Sequence, residues 1–149
     1  AGTHMKKRKR RVQLAIWQDD KIVLLKHRNL VSGKSFWGLP GGGQEKGETW
    51  QETARREAKE ETGLDIELLG KQHLFAAPLP EYYDEALTIL AQPKSGKLLC
   101  GNEPEPDTDF ELTKAKWFSL PEIRQLNPQL WQEISIILAH FKNGWATLP

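Results

Sequence analysis

"GGGQEKGETWQETARREAKEETGL", Gly41–Leu64, sets a glycine-rich turn directly before a segment that carries Glu57, Glu60 and Glu61. Thr49 followed by Glu52 is a capping-box start, and Gly63 stands where a left-handed residue closes a helix. The pattern predicts a helix over Trp50–Thr62. At about 100° per residue, Glu57 and Glu61 lie about 40° apart around it, with Glu60 about 60° to the other side of Glu57, so the three share one face. Like charges at this spacing repel by a few tenths of a kcal/mol per pair, and Glu60 and Glu61 also sit at the negative end of the helix dipole. Arg55 and Lys59 lie on the opposite side. Apolar positions are few (Trp50, Ala54, Ala58), so the acidic face is expected to gain little from burial. Two explanations stand at this point: a solvated glutamate-rich face, or a site for a divalent cation. Mg²⁺ takes hard oxygen ligands, typically a few carboxylates together with substrate phosphates.

Outward from this stretch, strand and helix patterns alternate without a repeat or a linker. "VQLAIWQ" places Val12, Leu14 and Ile16 against polar neighbours, as a half-buried strand does, and "QDDK" turns the chain into a second strand, "IVLLKHR", to form a hairpin. "FWGLP" is a short extended piece leading into the glycines. "LDIELLGKQHLFAA" and "EALTILAQ" read as strands, with some strand character near Lys97–Cys100, and "KAKWFSL" as another. Ser119 caps a short helix starting at Pro121. A last helix carries Leu130, Ile134, Ile137, Leu138 and Phe141 at helical spacing and stops at Gly144. A mixed sheet with at least two helices in one layered domain is expected.

The chain has 149 residues, enough for one domain with a real core. Its single cysteine, Cys100, excludes an intrachain disulfide and points to a reducing, cytoplasmic setting. No apolar stretch approaches the roughly 20 residues of a membrane helix, and no signal peptide is evident. "AGTHM" reads as a cloning remnant and "KKRKRR" (Lys6–Arg11) as a solvated basic arm, which assigns residues 1–11 to the arm and 12–149 to one domain. Subtracting the six charges of that run from the net +1 leaves the body at −5, which argues against a nucleic-acid binder with a broad basic face.

The surrounding residues decide between the two explanations of the acidic helix. Gly42 is followed after five residues by Glu48, and after seven more by Arg56-Glu57, then Ala58, Lys59, Glu60-Glu61, Thr62, Gly63 and Leu64. This stretch resembles the Nudix box, and the chain looks like a Nudix hydrolase of the MutT-like group. "FWGLPGG" and "KAKWFSLPEI" extend the likeness over most of the domain. Ala58 is small for a position where the family accepts an aliphatic residue, a departure that concerns packing. The resemblance implies an α+β Nudix fold, with a mixed sheet sandwiched between helices (an α/β/α sandwich). It implies Glu57 and Glu61 as principal ligands of Mg²⁺, with Mn²⁺ as a substitute, Glu60 as a further ligand or holder of bound water, and the Gly41 carbonyl facing the metal. Arg56 would orient the carboxylates, and Glu48 would act near the metal or in partnership with Arg56. Gly41, Gly42 and Gly47 would let backbone approach metal and phosphate. Family members also place a base or an extra ligand six residues before the late tryptophan, here Glu111 before Trp117; Glu103, Glu105, Asp107 and Asp109 are alternatives.

The reaction so implied is hydrolysis of the pyrophosphate bond of a nucleoside diphosphate linked to another group, most simply a (d)NTP or modified nucleotide giving NMP. ADP-ribose, nucleotide sugars and dinucleoside polyphosphates are the alternatives; Pro78 and Pro80 suit the first of these and Tyr82 and Tyr83 the last. Trp37, Tyr82 and Tyr83 are the candidate base platforms, alongside a core role for each. His27, Arg28 and Lys34 are candidate phosphate contacts, with ordinary surface charge the simpler reading. A silent nucleotide- or RNA-binding module is the competing class, but such modules usually lose box glutamates and this box keeps all of them. The small-molecule enzyme is expected to be a monomer or homodimer.

Overall fold

The two-residue turn at Asp19 and Asp20 sets the geometry of the sheet. Both residues have positive φ (52° and 60°), the backbone of a tight hairpin turn that aspartate tolerates. It joins β1 (Arg8–Gln18) to β2 (Lys21–Asn29). The computed structural model describes residues 8–76, 83–101 and 110–141. The expected hairpin forms, but only at its tip, where Trp17 pairs with Ile22 and Gln18 with Lys21. Beyond that the two strands diverge, and each recruits its own partners.

β1 takes β4 (Gly41–Gly43) antiparallel and β6 (Tyr83–Gly96) parallel, and β6 takes β5 (Leu64–Ala76) antiparallel. β2 takes β3 (Ser35–Gly38) and β7 (Phe110–Ser119), both antiparallel. The result is one mixed sheet of order β3-β2-β1-β6-β5, with β4 on β1 and β7 on β2.

Helix α1 (Trp50–Thr62) has the predicted bounds, with the Thr49–Glu52 capping box and Gly63 in the left-handed conformation. It covers one face of the sheet through Ala54 and Ala58, which pack on Val12, Leu14, Ile16, Val23 and Leu25. The other face carries Ala15, Trp17, Ile22 and Leu24 and is covered by α2 (Leu120–Leu126) and α3 (Pro128–His140) through Ile123, Leu130 and Ile134. Helices on both faces make the α/β/α sandwich, as expected. No helix among the described residues is long and apolar enough to cross a membrane.

Several expectations are corrected. β1 is not half-buried: every residue from Arg11 to Trp17 is buried, because α3 covers the face on which the polar neighbours stand. The basic run does not end as a solvated arm at residue 11 either. β1 begins at Arg8, Arg10 pairs with Glu85 at 2.8 Å, and Arg11 is buried. Residues 97–100 form no strand. Their backbone instead meets the end of α1, where Leu99 N–H donates to Thr62 O and Gly101 N–H to Glu61 O, satisfying carbonyls that a helix end leaves open. Phe141 is the C-cap of α3 and not part of the helix, though still buried; Gly144 lies outside the described residues.

Candidate active site

Gly41–Gly43 form a strand because β1 offers an edge on that side, with Arg11, Val12 and Gln13 opposite Gly43, Gly42 and Gly41. Helix α1 packs beneath, and two of its carboxylates turn up against this strand. Glu61 Oε1 accepts the Gly41 N–H at 2.8 Å. Glu57 lies so close to Gly42 that a Cβ there would stand 2.3 Å from Oε1 and 2.5 Å from Cδ. Both glutamates are buried, whereas the Glu60 side chain is 59% exposed. The acidic trio is therefore split, and the expectation that its face gains little from burial is overturned: β4 roofs Glu57 and Glu61, while Glu60 faces solvent.

Arg56 binds this region together. Its Nε and Nη2 grip both oxygens of Glu48 at 2.7 and 2.9 Å, and Nη1 reaches Glu57 at 2.8 Å and Glu60 at 3.4 Å. Nη2 also touches the Gly43 carbonyl. Glu48 accepts from Thr53 Oγ1 at 2.7 Å as well, and the loop closes on itself through Gln44 Nε2 to the Glu48 carbonyl. Of the two roles open for Glu48, the structure shows the partnership with Arg56. Gly47 has φ 82°, and a Cβ at this position would meet nothing within 4 Å, so the loop borders open space there.

The hydrogen bond from Arg56 holds the Glu48 carboxyl far below its ordinary 4.5, at about 2, with Thr53 helping and partial burial opposing. The same bond raises Arg56, which stays charged. A carboxyl whose folded value is depressed stabilises the protein above its unfolded value and loses that contribution as pH falls. Here the window runs from 4.5 down to about 2 and carries on the order of 3 kcal/mol. Glu48→Gln is therefore expected to lower stability by about 2–3 kcal/mol at neutral pH. Urea unfolding across a pH series checks it: the gap between variant and parent should close towards pH 2, and a gap independent of pH would refute the assignment.

The residues suit a divalent cation in donor chemistry. Arg56 holds Glu48, Glu57 and Glu60, Glu61 is buried against the Gly41 N–H on the same helix, and buried anions call for cations. All donors are hard oxygens, the ligands Mg²⁺ and Mn²⁺ prefer. No ready-made group of three His, Cys, Asp or Glu ligands is present among the described residues, because Glu57 is drawn to Arg56 and Glu61 to the Gly41 N–H.

On the opposite face of β1 lies a cavity of about 520 Å³. Arg11 and Gln13 line it from β1, Phe36 and Trp37 from β3, Phe110 from β7 and Ile134 from α3. His27, which also lines it, is buried; its Nδ1 donates to the Leu25 carbonyl at 3.2 Å and its ring stacks on Phe36 at 4.9 Å. Trp37 lines the cavity with its ring edge-on to Phe118. Tyr83 is buried beneath the Arg11 guanidinium and does not line the cavity. Glu111 is paired with Arg28, its cross-strand partner, and no contact joins it to the carboxylates of α1 among the described bonds. Tyr82, Pro78, Pro80 and the acidic run Glu103, Glu105, Asp107 and Asp109 lie outside the described residues. Sequence reasoning missed Arg11, Gln13 and Phe110 as site residues. For Arg11 and Gln13 the one signal was the polar side of the β1 alternation, which reads equally well as solvent-facing; Phe110, at the start of β7, carried none.

The NUDIX domain family profile matches residues 7–141. A relative from Mycobacterium tuberculosis is 52% identical over 48 residues, which are 32% of this chain and 22% of that protein. The ADP-ribose pyrophosphatase of Methanocaldococcus jannaschii is 32% identical over 99 residues, 65% of this chain and 58% of that protein. The chain thus spans less than two thirds of the length of these curated relatives. Among solved structures, a NUDIX hydrolase from Nitrosomonas europaea superposes with a TM-score of 0.64 at 28% identity, covering 89% of this chain and 90% of that one.

Proposed function

The chain belongs to the NUDIX family, and from that membership we propose that it is a divalent-metal-dependent pyrophosphohydrolase acting on a small nucleotide, a (d)NTP or modified nucleotide converted to NMP. The observation that carries this reading is the pair of buried carboxylates, Glu57 and Glu61, pressed against Gly41–Gly43 on a strand whose neighbour lines a nucleoside-sized cavity.

Glu57 and Glu61 would hold Mg²⁺ or Mn²⁺, with Glu60 as a further or water-holding ligand. Such an ion, when bound, offsets the charge of the phosphates and lowers the pKa of a coordinated water. The rest of the work falls to the chain itself. Arg56 fixes the position of Glu57, and Glu48 fixes Arg56, so the carboxylate is oriented before substrate arrives. Gly42 leaves the space that Glu57 occupies. Gly47 leaves the loop open where phosphates approach. The cavity on the other side of β1 takes the nucleoside and removes it from water. Glu111, held by Arg28, is a candidate to accept a proton from the attacking water.

A panel of (d)NTPs, ADP-ribose, nucleotide sugars and dinucleoside polyphosphates, incubated with Mg²⁺ and resolved by chromatography, tests the proposal. NMP and pyrophosphate from one or more triphosphates is the expected result. Turnover confined to ADP-ribose or a dinucleoside polyphosphate would replace the substrate assignment, and no turnover on any member would overturn the enzyme reading.

A further inference from the structure

A lysine set directly opposite a lysine weakens a sheet, because like charges across a strand pair repel. The β2–β7 ribbon contains such a pair. Lys26 of β2 is the register partner of Lys114 of β7, and Lys116, two residues further along β7, stands opposite Leu24. Leu24 packs into the core beneath α2 and α3, so Lys116 shares its face of the sheet. Alternation along the strand puts Lys114, and hence Lys26, on that face too. Lys114 and Lys116 are exposed and Lys26 is half-buried. None of the three has an ion pair among the described residues. Arg28 and Glu111, further along the same ribbon, are paired with one another, and Lys116 Nζ lies over the Phe118 ring at 5.4 Å. Glu122 of α2 is occupied elsewhere: its carboxyl is drawn below its ordinary range first by the Ser119 N–H that it accepts at 2.9 Å, and only last by Lys21 and Lys116. Lys21, exposed at the start of β2, adds a fourth positive charge to the ribbon.

Three features define what this face can receive. Its cations are lysines, compact hydrated charges that meet phosphates as points rather than as a two-pronged fork. They stand close together: alternate residues of a strand are about 7 Å apart and cross-strand partners about 5 Å, so neighbouring phosphates of one flexible chain can meet all three. And no large apolar side chain of β2 or β7 is exposed, which leaves nothing on the ribbon to enter a bilayer. The patch is narrow, in keeping with a body that is acidic overall outside the run Lys6–Arg11.

From this arrangement we infer that the β2–β7 ribbon is a docking surface for the phosphate backbone of a single-stranded nucleic acid, held by Lys26, Lys114 and Lys116. It takes no part in the hydrolysis proposed above and does not depend on it. The test is fluorescence anisotropy of a short labelled oligouridylate with the full chain, without added metal, over a salt series. Three phosphate contacts on a single strand give a slope of log K against log salt of about −2, or about twenty-fold weaker binding between about 50 and 200 mM salt. Replacing all three lysines (Lys26→Gln, Lys114→Gln and Lys116→Gln) should weaken binding about ten-fold or more at the lower salt and flatten the slope. Removing the same number of charges elsewhere (Lys71→Gln, Lys94→Gln and Lys97→Gln) should leave affinity within about two-fold, since exposed charges beyond a Debye length are screened. If the first triple variant does not fold, the single substitutions carry the test, each reducing the slope by about 0.7. An oligothymidylate of equal length should bind like the oligouridylate, because phosphate contacts read neither base nor sugar. No binding by the parent, equal losses in the two triple variants, or a marked preference between the two oligonucleotides overturns the proposal. So does oligoglutamate or a phosphatidylserine vesicle binding as tightly as the oligouridylate.

Discussion

Glu57→Gln is expected to lower kcat by about 10³-fold or more while leaving the metal-free protein folded and about as stable as its parent. The kinetic loss follows from the task assigned to the carboxylate: charge stabilisation by a bound cation is worth several kcal/mol, and each 1.36 kcal/mol is ten-fold in rate. The stability expectation follows from the local charges. Glu57 is buried, and it shares Arg56 with Glu48 and Glu60. Neutralising it costs one ion pair but removes one of several crowded anions, and Arg56 keeps its two-pronged grip on Glu48. A cation reverses the balance. With Mg²⁺ at about 100 times its dissociation constant, the parent should gain about 2.7 kcal/mol, and the variant much less. Thermal melts with and without Mg²⁺, run beside the kinetics, separate these effects. Equal stabilisation of both proteins by Mg²⁺, or undiminished turnover by the variant, would remove Glu57 from the site.

Gly42→Ala should give a folded protein that has lost its chemistry, and Gly41→Ala a markedly destabilised one. The neighbours of the two glycines explain the contrast. At Gly42, an added Cβ meets the end of a side chain, Glu57 Oε1 at 2.3 Å. That carboxylate can swing away, so the sheet survives, but it leaves the place where it is needed. A displacement of about 1 Å can cost 10²-fold in rate, and at least that is expected here. At Gly41, the added atom meets backbone, Val12 O at 2.3 Å and Gln13 Cα at 2.7 Å, and backbone in a paired strand cannot give way without opening β1 from β4. Overpacking of this kind costs about 1–3 kcal/mol or more. Circular dichroism melts and steady-state kinetics on the two variants decide the matter. A Gly42→Ala enzyme at full rate would mean that the position of Glu57 is unimportant.

These two substitutions also mark the limit of what local sequence encodes. The bounds of α1 were open to inspection because its caps act within four residues: Thr49 with Glu52, and Gly63 with Lys59. The spacing of the glutamates around the helix followed from helix geometry, and their expected purpose from the neighbouring Gly42, Glu48 and Arg56. Which carboxylates are buried did not follow. Glu57 and Glu61 are roofed by β4, a strand that exists only because β1 offers it an edge, and that pairing joins Val12 to Gly42, far apart in sequence.

Local interactions thus determined the helix, its caps, the turn at Asp19–Asp20 and the order of the acidic residues, since each depends on residues a few positions apart. The tertiary structure alone decided the fate of the polar side of β1. Arg11 and Gln13 look like solvent-facing residues until α3, from the far end of the chain, closes over that face and turns them into the wall of a cavity. Alternation records that a strand has two sides; only packing against distant elements settles which of them meets water.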